Sequence, residues 1–431
     1  MKRNREKRRL SAGTILMLVL LVFSLGGSAL VLIRLSSGAE VDLSRLKMNL
    51  LNLQTENPQE EQNPDSQPAA TVRQTEKTES SARITPTPQP SGGAGFTLTV
   101  GGSVAFAGEV RSNSWSSDAG AYDYSDVMML LSSRLNADLN LCFLENILSD
   151  SAKVNDTVAP GSVAALLKTA GFTGGACGFA QGYAKGAEGI MSTRDAFQRN
   201  GLTTLGLRDA GNTSVPSPVS VGGVRTSVLQ YTATVSSKTR KAMEKAGESL
   251  MMPDADSALI TQEIQAVREA GAEAVIVLLN WGSVGKDVTR AQRTLAEEIA
   301  RAGADLIVGC GSRVAQSAEF LSGRDSRKTL CVWSLGSLLT GDRGSVRRIA
   351  GYLLHVTVKG DGAGGVTLEK TEYTPVYAWK YKQDSRYYYR CVAANRSAPD
   401  GMDAEQRKNL EKAAATVAEA LNGSPLTLRE E

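Results

Sequence analysis

The chain has 431 residues with 48 Lys and Arg, 45 Asp and Glu, and one histidine, which gives a formal net charge of +3. This length allows two or three domains, and 42% hydrophobic with 22% charged residues is typical of a globular protein. So small a net charge does not indicate a nucleic-acid partner, and a single histidine excludes any site that needs two, including histidine-rich zinc centres.

The N-terminal end has the pattern of a membrane anchor. Residues 1–9, MKRNREKRR, carry six basic side chains and one acid, and an uncharged apolar run follows over residues 10–33. As a helix this run spans about 36 Å, enough to cross a ~30 Å hydrocarbon core. The basic flank predicts a cytoplasmic N-terminus with the rest of the chain extracytoplasmic. We predict a single-pass anchor in the cell membrane, and the small residues between Ser24 and Leu30 leave signal-peptide cleavage as an alternative.

The next segment is polar and contains no aromatic residue. From Gln54 to Gly95 the composition is dominated by Gln, Glu, Asn, Thr, Ser and Pro. Such a segment cannot bury enough apolar surface to offset the entropy of ordering it. We therefore predict a juxtamembrane segment and a disordered stalk over residues 34–95.

From Phe96 onward, apolar strands alternate with amphipathic helices. Strands are predicted at 96–102, 138–145, 224–233, 274–282, 305–309, 329–336, 351–358 and 364–376. Helices are predicted at 160–172, 186–200, 257–270, 289–302 and 401–422, with Gly171 as a C-cap. This alternation indicates a layered α/β domain with mixed sheets. We assign residues 96–396 to that domain and residues 397–431 to a C-terminal helix and tail.

The cysteines and the histidine carry no motif. The five cysteines lack Cys-x-x-Cys spacing, which argues against a metal cage or a thioredoxin-type site. Each lies among apolar or small residues, so we predict buried free thiols. His355 lies in an apolar strand without a partner motif, and we interpret it as a satisfied or exposed strand residue rather than a ligand or a base.

Five segments, in order along the chain, carry a resemblance to a known family. They are residues 137–149, 185–190, 276–282, 302–309 and 333–337. In these segments the chain resembles the CapA family of capsule and poly-γ-glutamate synthesis proteins. The resemblance implies a four-layered, metallophosphatase-like α/β fold with mixed sheets over residues 96–396.

The metal ligands that the resemblance implies are missing from the matching positions. Those positions hold Ser103 for an Asp, Phe143 for the Asn of Asn-x-Glu, Ala180-Gln181 for an Asn-His pair, Asn280 for the His of His-Trp-Gly, and Gly311-Ser312-Arg313 for His-x-His. A two-metal phosphoesterase needs several Asp, His and Asn ligands that converge on its metals. We therefore expect no metal, no other cofactor and no metal-dependent catalysis.

The strand ends of an α/β sheet form a crevice with or without a metal. The candidate ligand-binding residues at this crevice are Ser103, Glu145, Gln181, Asn280, Trp281, Arg313 and Glu319. Arg313 places a cation, suited to a carboxylate or a phosphate, where the resemblance implies a metal. The alternative is structural, with Glu145 and Glu319 in loop hydrogen bonds and Trp281 in the core. No catalytic residue is assigned, because Ser103 has no histidine partner.

The predicted function follows from the resemblance together with the lost ligands. We expect a membrane-anchored, extracytoplasmic protein with an accessory role in synthesis or anchoring of capsule, poly-γ-glutamate or another envelope polymer. Its expected partners are the membrane and an anionic envelope polymer or other membrane proteins of a synthesis complex. Two alternatives stay open: a hydrolase or transferase with a rebuilt, metal-independent site, and an interaction module of a membrane complex.

Overall fold

The computed structural model describes residues 93–211, 214–383 and 385–430. Its strands are β1 (Gly95–Val104), β2 (Trp115–Ser116), β3 (Ala121–Tyr122), β4 (Leu139–Leu144), β5 (Ile147–Leu148), β6 (Val158–Ala159), β7 (Gly174–Ala176), β8 (Thr203–Leu205), β9 (Val219–Val221), β10 (Val224–Thr232), β11 (Ala274–Asn280), β12 (Leu306–Cys310), β13 (Ala318–Ser322), β14 (Lys328–Val332), β15 (Ser337–Leu339), β16 (Ala350–Gly360), β17 (Val366–Gln383), β18 (Arg386–Ala393) and β19 (Thr427–Leu428). Its α-helices are α1 (Glu109–Asn113), α2 (Ser162–Ala170), α3 (Gly186–Arg199), α4 (Ser237–Ala246), α5 (Ser257–Glu269), α6 (Arg290–Ala302), α7 (Val346–Ile349) and α8 (Ala404–Ala420). Short 3₁₀ helices lie at Met129–Arg134, Ser249–Met251 and Arg324–Ser326.

Two large mixed sheets form the framework. The first has the order β18-β17-β16-β1-β4-β7-β8, with β15 beside β1 and β19 beside β17. Its β1, β4, β7 and β8 are parallel, whereas β16, β17 and β18 are antiparallel. The second has the order β13-β14-β12-β11-β10-β9, with a parallel centre and an antiparallel strand at each edge. The predicted mixed-sheet α/β fold is confirmed.

The apolar residues divide into layers. Val100 of the first sheet and Leu278 of the second belong to one core that fills the space between the sheets. The outer face of the first sheet packs on α2 and α3, and that of the second packs on α5 and α6. The strands of the centre are therefore buried on both faces, which explains their continuous apolar runs.

Several helix ends follow signals in the sequence. Gly171 closes α2 in a left-handed conformation with φ 108°. Thr289 begins α6 through a capping box with Gln292. Helix α4 was not predicted, and the reason is its polarity, since Met243 is its one buried side chain.

The C-terminal segment belongs to the same core. Helix α8 buries Leu410, Ala413 and Val417 in the cluster that lies between the sheets, and β19 pairs in parallel with β17. The predicted tail (1–9), anchor (10–33) and nearly all of the predicted stalk (34–95) lie outside the described residues. Within the described residues, no helix is long and apolar enough to cross a membrane.

The structure confirms the predictions for the cysteines and the histidine. All five cysteines are buried and free, and burial raises the pKa of each thiol. Arg429 Nη1 donates to Nδ1 of His355 at 2.7 Å, so Nδ1 carries no proton and Nε2 donates to Thr374 Oγ1 at 3.0 Å. Burial, reinforced by the Arg429 charge, lowers the pKa of His355 to about 3. His355 is thus a satisfied strand residue.

Candidate functional site

A cleft of about 530 Å³ opens where strands of the two sheets end. Strands β1 and β4 run parallel to each other in the first sheet, as β11 and β12 do in the second, and all four place their C-terminal ends at this edge. Its charged and amide-bearing lining residues are Glu145, Asn146, Asp156, Gln181, Asn280 and Arg313. The crevice that the sequence predicted at the strand ends is therefore present as an open cleft.

An ion pair joins the two sheets at this cleft. Arg313, which follows β12, donates from Nε to Glu145 Oε1 at 3.1 Å and from Nη2 to Oε2. Glu145 follows β4, and its carboxylate also accepts a hydrogen bond from Ser103 Oγ of β1. The side chain of Glu145 is 16% exposed and that of Arg313 is 38% exposed. Burial lowers the pKa of Arg313, but the Glu145 carboxylate outweighs it, so that the guanidinium pKa is raised.

The backbone before Arg313 packs closely against Asn280 and Trp281 at the end of β11. Gly311 has φ 126°, and a Cβ at this position would lie 2.4 Å from the Trp281 carbonyl oxygen and 2.7 Å from Asn280 Oδ1. Arg313 itself has φ 55°, a left-handed conformation that is uncommon outside glycine. Ser337 Oγ donates to the Arg313 carbonyl oxygen at 3.2 Å. The guanidinium is thus aimed at Glu145 by a strained and well-supported turn.

The deep end of the cleft is closed by apolar and amide groups. Asn280 Nδ2 donates to the Gly178 carbonyl oxygen at 3.4 Å. Beside it, Phe143 and Cys310 line a void of only about 10 Å³, roughly the room that one water needs. The position that the resemblance assigns to an Asn ligand is therefore filled by the Phe143 side chain.

Two side chains on loops complete the polar lining. Gln181 Oε1 accepts a hydrogen bond from Thr157 Oγ1 at 2.7 Å. Asp156 accepts from Arg111 Nε at 2.8 Å and from the Gly108 amide at 2.9 Å. The hydrogen bond from Arg111 is the main cause of the lowered pKa of Asp156, which is therefore anionic at neutral pH. Asp156 was not a sequence candidate, since it lies in a loop without a motif.

Two of the sequence candidates, Trp281 and Glu319, have no contact with the cleft. Trp281 is fully buried, stacks on Trp333 at a centroid distance of 5.6 Å, and donates from Nε1 to the Trp333 carbonyl oxygen at 2.9 Å. Glu319, on β13, accepts from Arg293 Nη1 at 2.9 Å and from Trp333 Nε1 at 2.8 Å. Both side chains contact Trp333 and have structural roles, which is the alternative that the sequence left open. Glu145, Gln181, Asn280 and Arg313 line the cleft, and Ser103 is buried beside it, where it bonds to Glu145.

The donor set of the cleft does not fit a two-metal centre. Such a centre needs several anionic or imidazole ligands around each ion. Among residues 93–211, 214–383 and 385–430, no group of three or more His, Cys, Asp or Glu side chains is placed to hold a metal ion. Glu145 already accepts hydrogen bonds from Ser103 and Arg313. Ser103 is 2% exposed and bonded to a carboxylate, which does not suit it as a nucleophile.

Fold and cleft together define a two-sheet α/β protein with a polar, open site at the strand ends. A family model described as "Bacterial capsule synthesis protein PGA_cap" matches residues 97–342, which is more than half of the chain. The chain belongs to this bacterial capsule synthesis family, which confirms the resemblance drawn from its sequence. No curated protein matches the chain at a significant level.

Three of the solved structures with some likeness to the chain come from different bacteria. A protein described as a candidate 5'-nucleotidase from Staphylococcus aureus, in complex with alpha-ketoglutarate, is 11% identical with a TM-score of 0.39, over 74% of this chain and 58% of that one. A hypothetical protein from Thermus thermophilus is 14% identical with a TM-score of 0.38, over 66% of this chain and 98% of that one. The calcineurin-like phosphoesterase YfkN from Bacillus subtilis is 7% identical with a TM-score of 0.38, over 76% and 98%. This chain spans less than two thirds of the S. aureus protein, and all three TM-scores are low, so these likenesses do not define its activity.

Proposed function

We propose that this chain is an extracytoplasmic protein of the capsule synthesis family, anchored in the cell membrane, with an accessory role in making or anchoring an envelope polymer. In this proposal it acts without the metal chemistry of metallophosphatases. The cleft serves as a binding site for polymer, which it holds close to the membrane.

The observation that carries the proposal is the Glu145–Arg313 ion pair. It occupies the strand ends where the resemblance implies metal ligands, and it uses the carboxylate that remains there. A guanidinium cannot bind a metal, because it has only donors. The buried Phe143 beside it supplies no lone pair. The scaffold of the family is kept while its metal-binding groups are replaced, which favours binding over hydrolysis.

The membrane location is supported by the sequence. The apolar run at residues 10–33 follows six basic side chains in residues 1–9, a pattern that favours a cytoplasmic N-terminus. Without residues 1–9, which carry a net charge of +5, the remainder of the chain has a net charge of −2. The outer part of the chain is therefore close to neutral.

Protease treatment of intact cells tests the location. Protease added from outside is expected to remove the domain that begins near residue 93. It is expected to leave a short membrane-bound fragment that carries the N-terminus. An epitope inserted after Gly401, at an exposed turn, reports the loss. Protection of the domain in intact cells, with digestion after lysis, would contradict the proposed topology.

Deletion of the chain tests the role. A deletion strain is expected to hold less surface polymer, measured by composition analysis of the washed envelope, and the full chain is expected to restore it. A version without residues 1–33, exported by an unrelated cleaved signal, separates the anchor from the domain and is expected to restore little. Unchanged polymer in the deletion strain would contradict the proposal.

A further inference from the structure

The charges that line the cleft are already balanced. Among the described residues, Arg313 is the one cationic side chain of the lining, and two of its nitrogens are bonded to Glu145. The second carboxylate of the lining, Asp156, has a side chain that is 63% exposed and is paired with Arg111 at 2.8 Å. A polyanion that entered the cleft would meet two carboxylates and, in the described lining, no cation without a partner. Such an arrangement selects against a chain of carboxylates.

The other polar groups of the lining are amides and hydroxyls. They belong to Asn146, Gln181, Thr234, Asn280 and Ser283. Amides and hydroxyls both donate and accept hydrogen bonds, as the hydroxyls of a sugar also do, whereas a carboxylate accepts only. Gln181 and Ser283 are exposed to solvent in the cleft. Their polar groups can therefore exchange water for a ligand without breaking the core.

Apolar surface lies beside these groups. The ring of Phe179 lines both the cleft and the small void at its deep end, and Val284 is 42% exposed in the lining. The C–H faces of a sugar ring are apolar and pack on such side chains while its hydroxyls bond to the polar ones. The cleft volume of about 530 Å³ lies within the range of about 300–1,000 Å³ that is typical of small-ligand sites.

We propose that the cleft binds an uncharged, hydroxyl-rich segment of an envelope glycan, with Gln181, Asn280 and Ser283 as hydrogen-bonding residues. This inference rests on the proposed function, because it names the class of polymer that the cleft would hold. Because Glu145 and Asp156 already pair with Arg313 and Arg111, the described lining offers a polyanion no unpaired cation, and a polyanion binds less tightly in the same cleft.

Calorimetric titration tests the inference. The full chain is held in nanodiscs whose lipids carry no sugar head groups. The neutral probes are cellotetraose, chitotetraose and methyl-esterified tetragalacturonate. The acidic probes are poly-γ-glutamate and tetragalacturonate, which has free carboxylates where its ester has neutral methyl esters. At least one neutral probe is expected to bind at least tenfold more tightly than both acidic probes. The inference would be overturned if no neutral probe bound, or if an acidic probe bound more tightly than the neutral ones.

Variants place the binding in the cleft. Gln181→Ala and Ser283→Ala are each expected to weaken the neutral probe at least threefold, while Gln198→Ala, on the exposed face of α3, leaves it unchanged. Asp156→Asn removes one lining carboxylate and is expected to improve binding of tetragalacturonate at least threefold. Equal affinities in the cleft variants and in Gln198→Ala would overturn the inference.

The outcome separates this inference from the proposed function. If poly-γ-glutamate binds and Gln181→Ala weakens it, the cleft is a polymer site and the glycan assignment is wrong. If no probe binds and the deletion strain also keeps its surface polymer, both are wrong.

Discussion

Glu145 and Arg313 form a two-point ion pair between residues that are 168 positions apart and that follow strands of different sheets. The pair is partly buried and is reinforced by Ser103, so removal of one partner leaves a desolvated charge. Glu145→Gln or Arg313→Met is expected to lower the free energy of unfolding by about 1–3 kcal/mol. Urea denaturation measures each value.

A double-mutant cycle isolates the pair from other effects of these substitutions. We expect a coupling energy of about 0.5–3 kcal/mol between Glu145 and Arg313. The Arg293–Glu319 pair is the matched control, because its side chains are 50% and 40% exposed and such pairs contribute less than about 1 kcal/mol. Equal coupling in the two cycles would show that the cleft pair has no special role.

Gly311 is expected to be irreplaceable for reasons of space as well as conformation. In Gly311→Ala the new Cβ would lie 2.4 Å from the Trp281 carbonyl oxygen, so the turn that carries Arg313 must shift. Gly401→Ala is the control, since Gly401 also has a positive φ of 87° but a Cβ there would meet no atom within 4 Å. The control is expected to lose only about 1–2 kcal/mol of stability, from the strain of a left-handed alanine. Gly311→Ala is expected to lose distinctly more. Similar melting temperatures for the two variants would contradict the close approach.

His355 is expected to stay neutral throughout the physiological range. Its pKa is lowered to about 3, whereas an unfolded histidine titrates near 6.5. Between these values the unfolded chain binds the additional proton, so stability falls as the pH drops from about 6.5 towards 3, by up to ~1.4 kcal/mol per unit. Because the chain has one histidine, a tag-free, histidine-labelled sample gives a single ring signal in NMR. A midpoint near pH 6.5 in the folded protein would contradict the buried hydrogen-bond network.

The thiols are expected to be inert in the folded chain. All five cysteines are buried, and burial raises the pKa of each thiol, which suppresses the reactive thiolate. Ellman's reagent is expected to label all five in guanidinium and none within minutes under native conditions. Ser283→Cys, at an exposed position in the cleft, serves as the reactive control. Rapid labelling of a native cysteine would locate an opening in the core.

Local signals in the sequence predicted most of the longer strands and helices, because their causes are local. The apolar run of β11 and the Thr289 cap of α6 depend on neighbouring residues only. Helix α4 was missed because it buries little, and an amphipathic pattern is the signal that predicts a helix.

The candidate site was predicted less completely, because its geometry depends on residues far apart in sequence. Glu145 and Arg313 were candidates because each follows a strand end. Nothing in the sequence indicated that they form an ion pair. Trp281 follows Asn280 directly, yet Asn280 lines the cleft while Trp281 packs in the core of the second sheet. That division follows from the alternation of side chains along a strand, once the face that meets the cleft is known. Asp156 depends on loop geometry, for which the sequence carries no periodic signal.

We infer that this chain keeps the framework of its family without a metal centre. Metal analysis of the full chain tests it most directly, after purification without chelators from cells supplied with manganese, iron and zinc. We expect well below one equivalent of any of these metals per chain, unchanged by dialysis against each metal. Two tightly held metal ions per chain would contradict it.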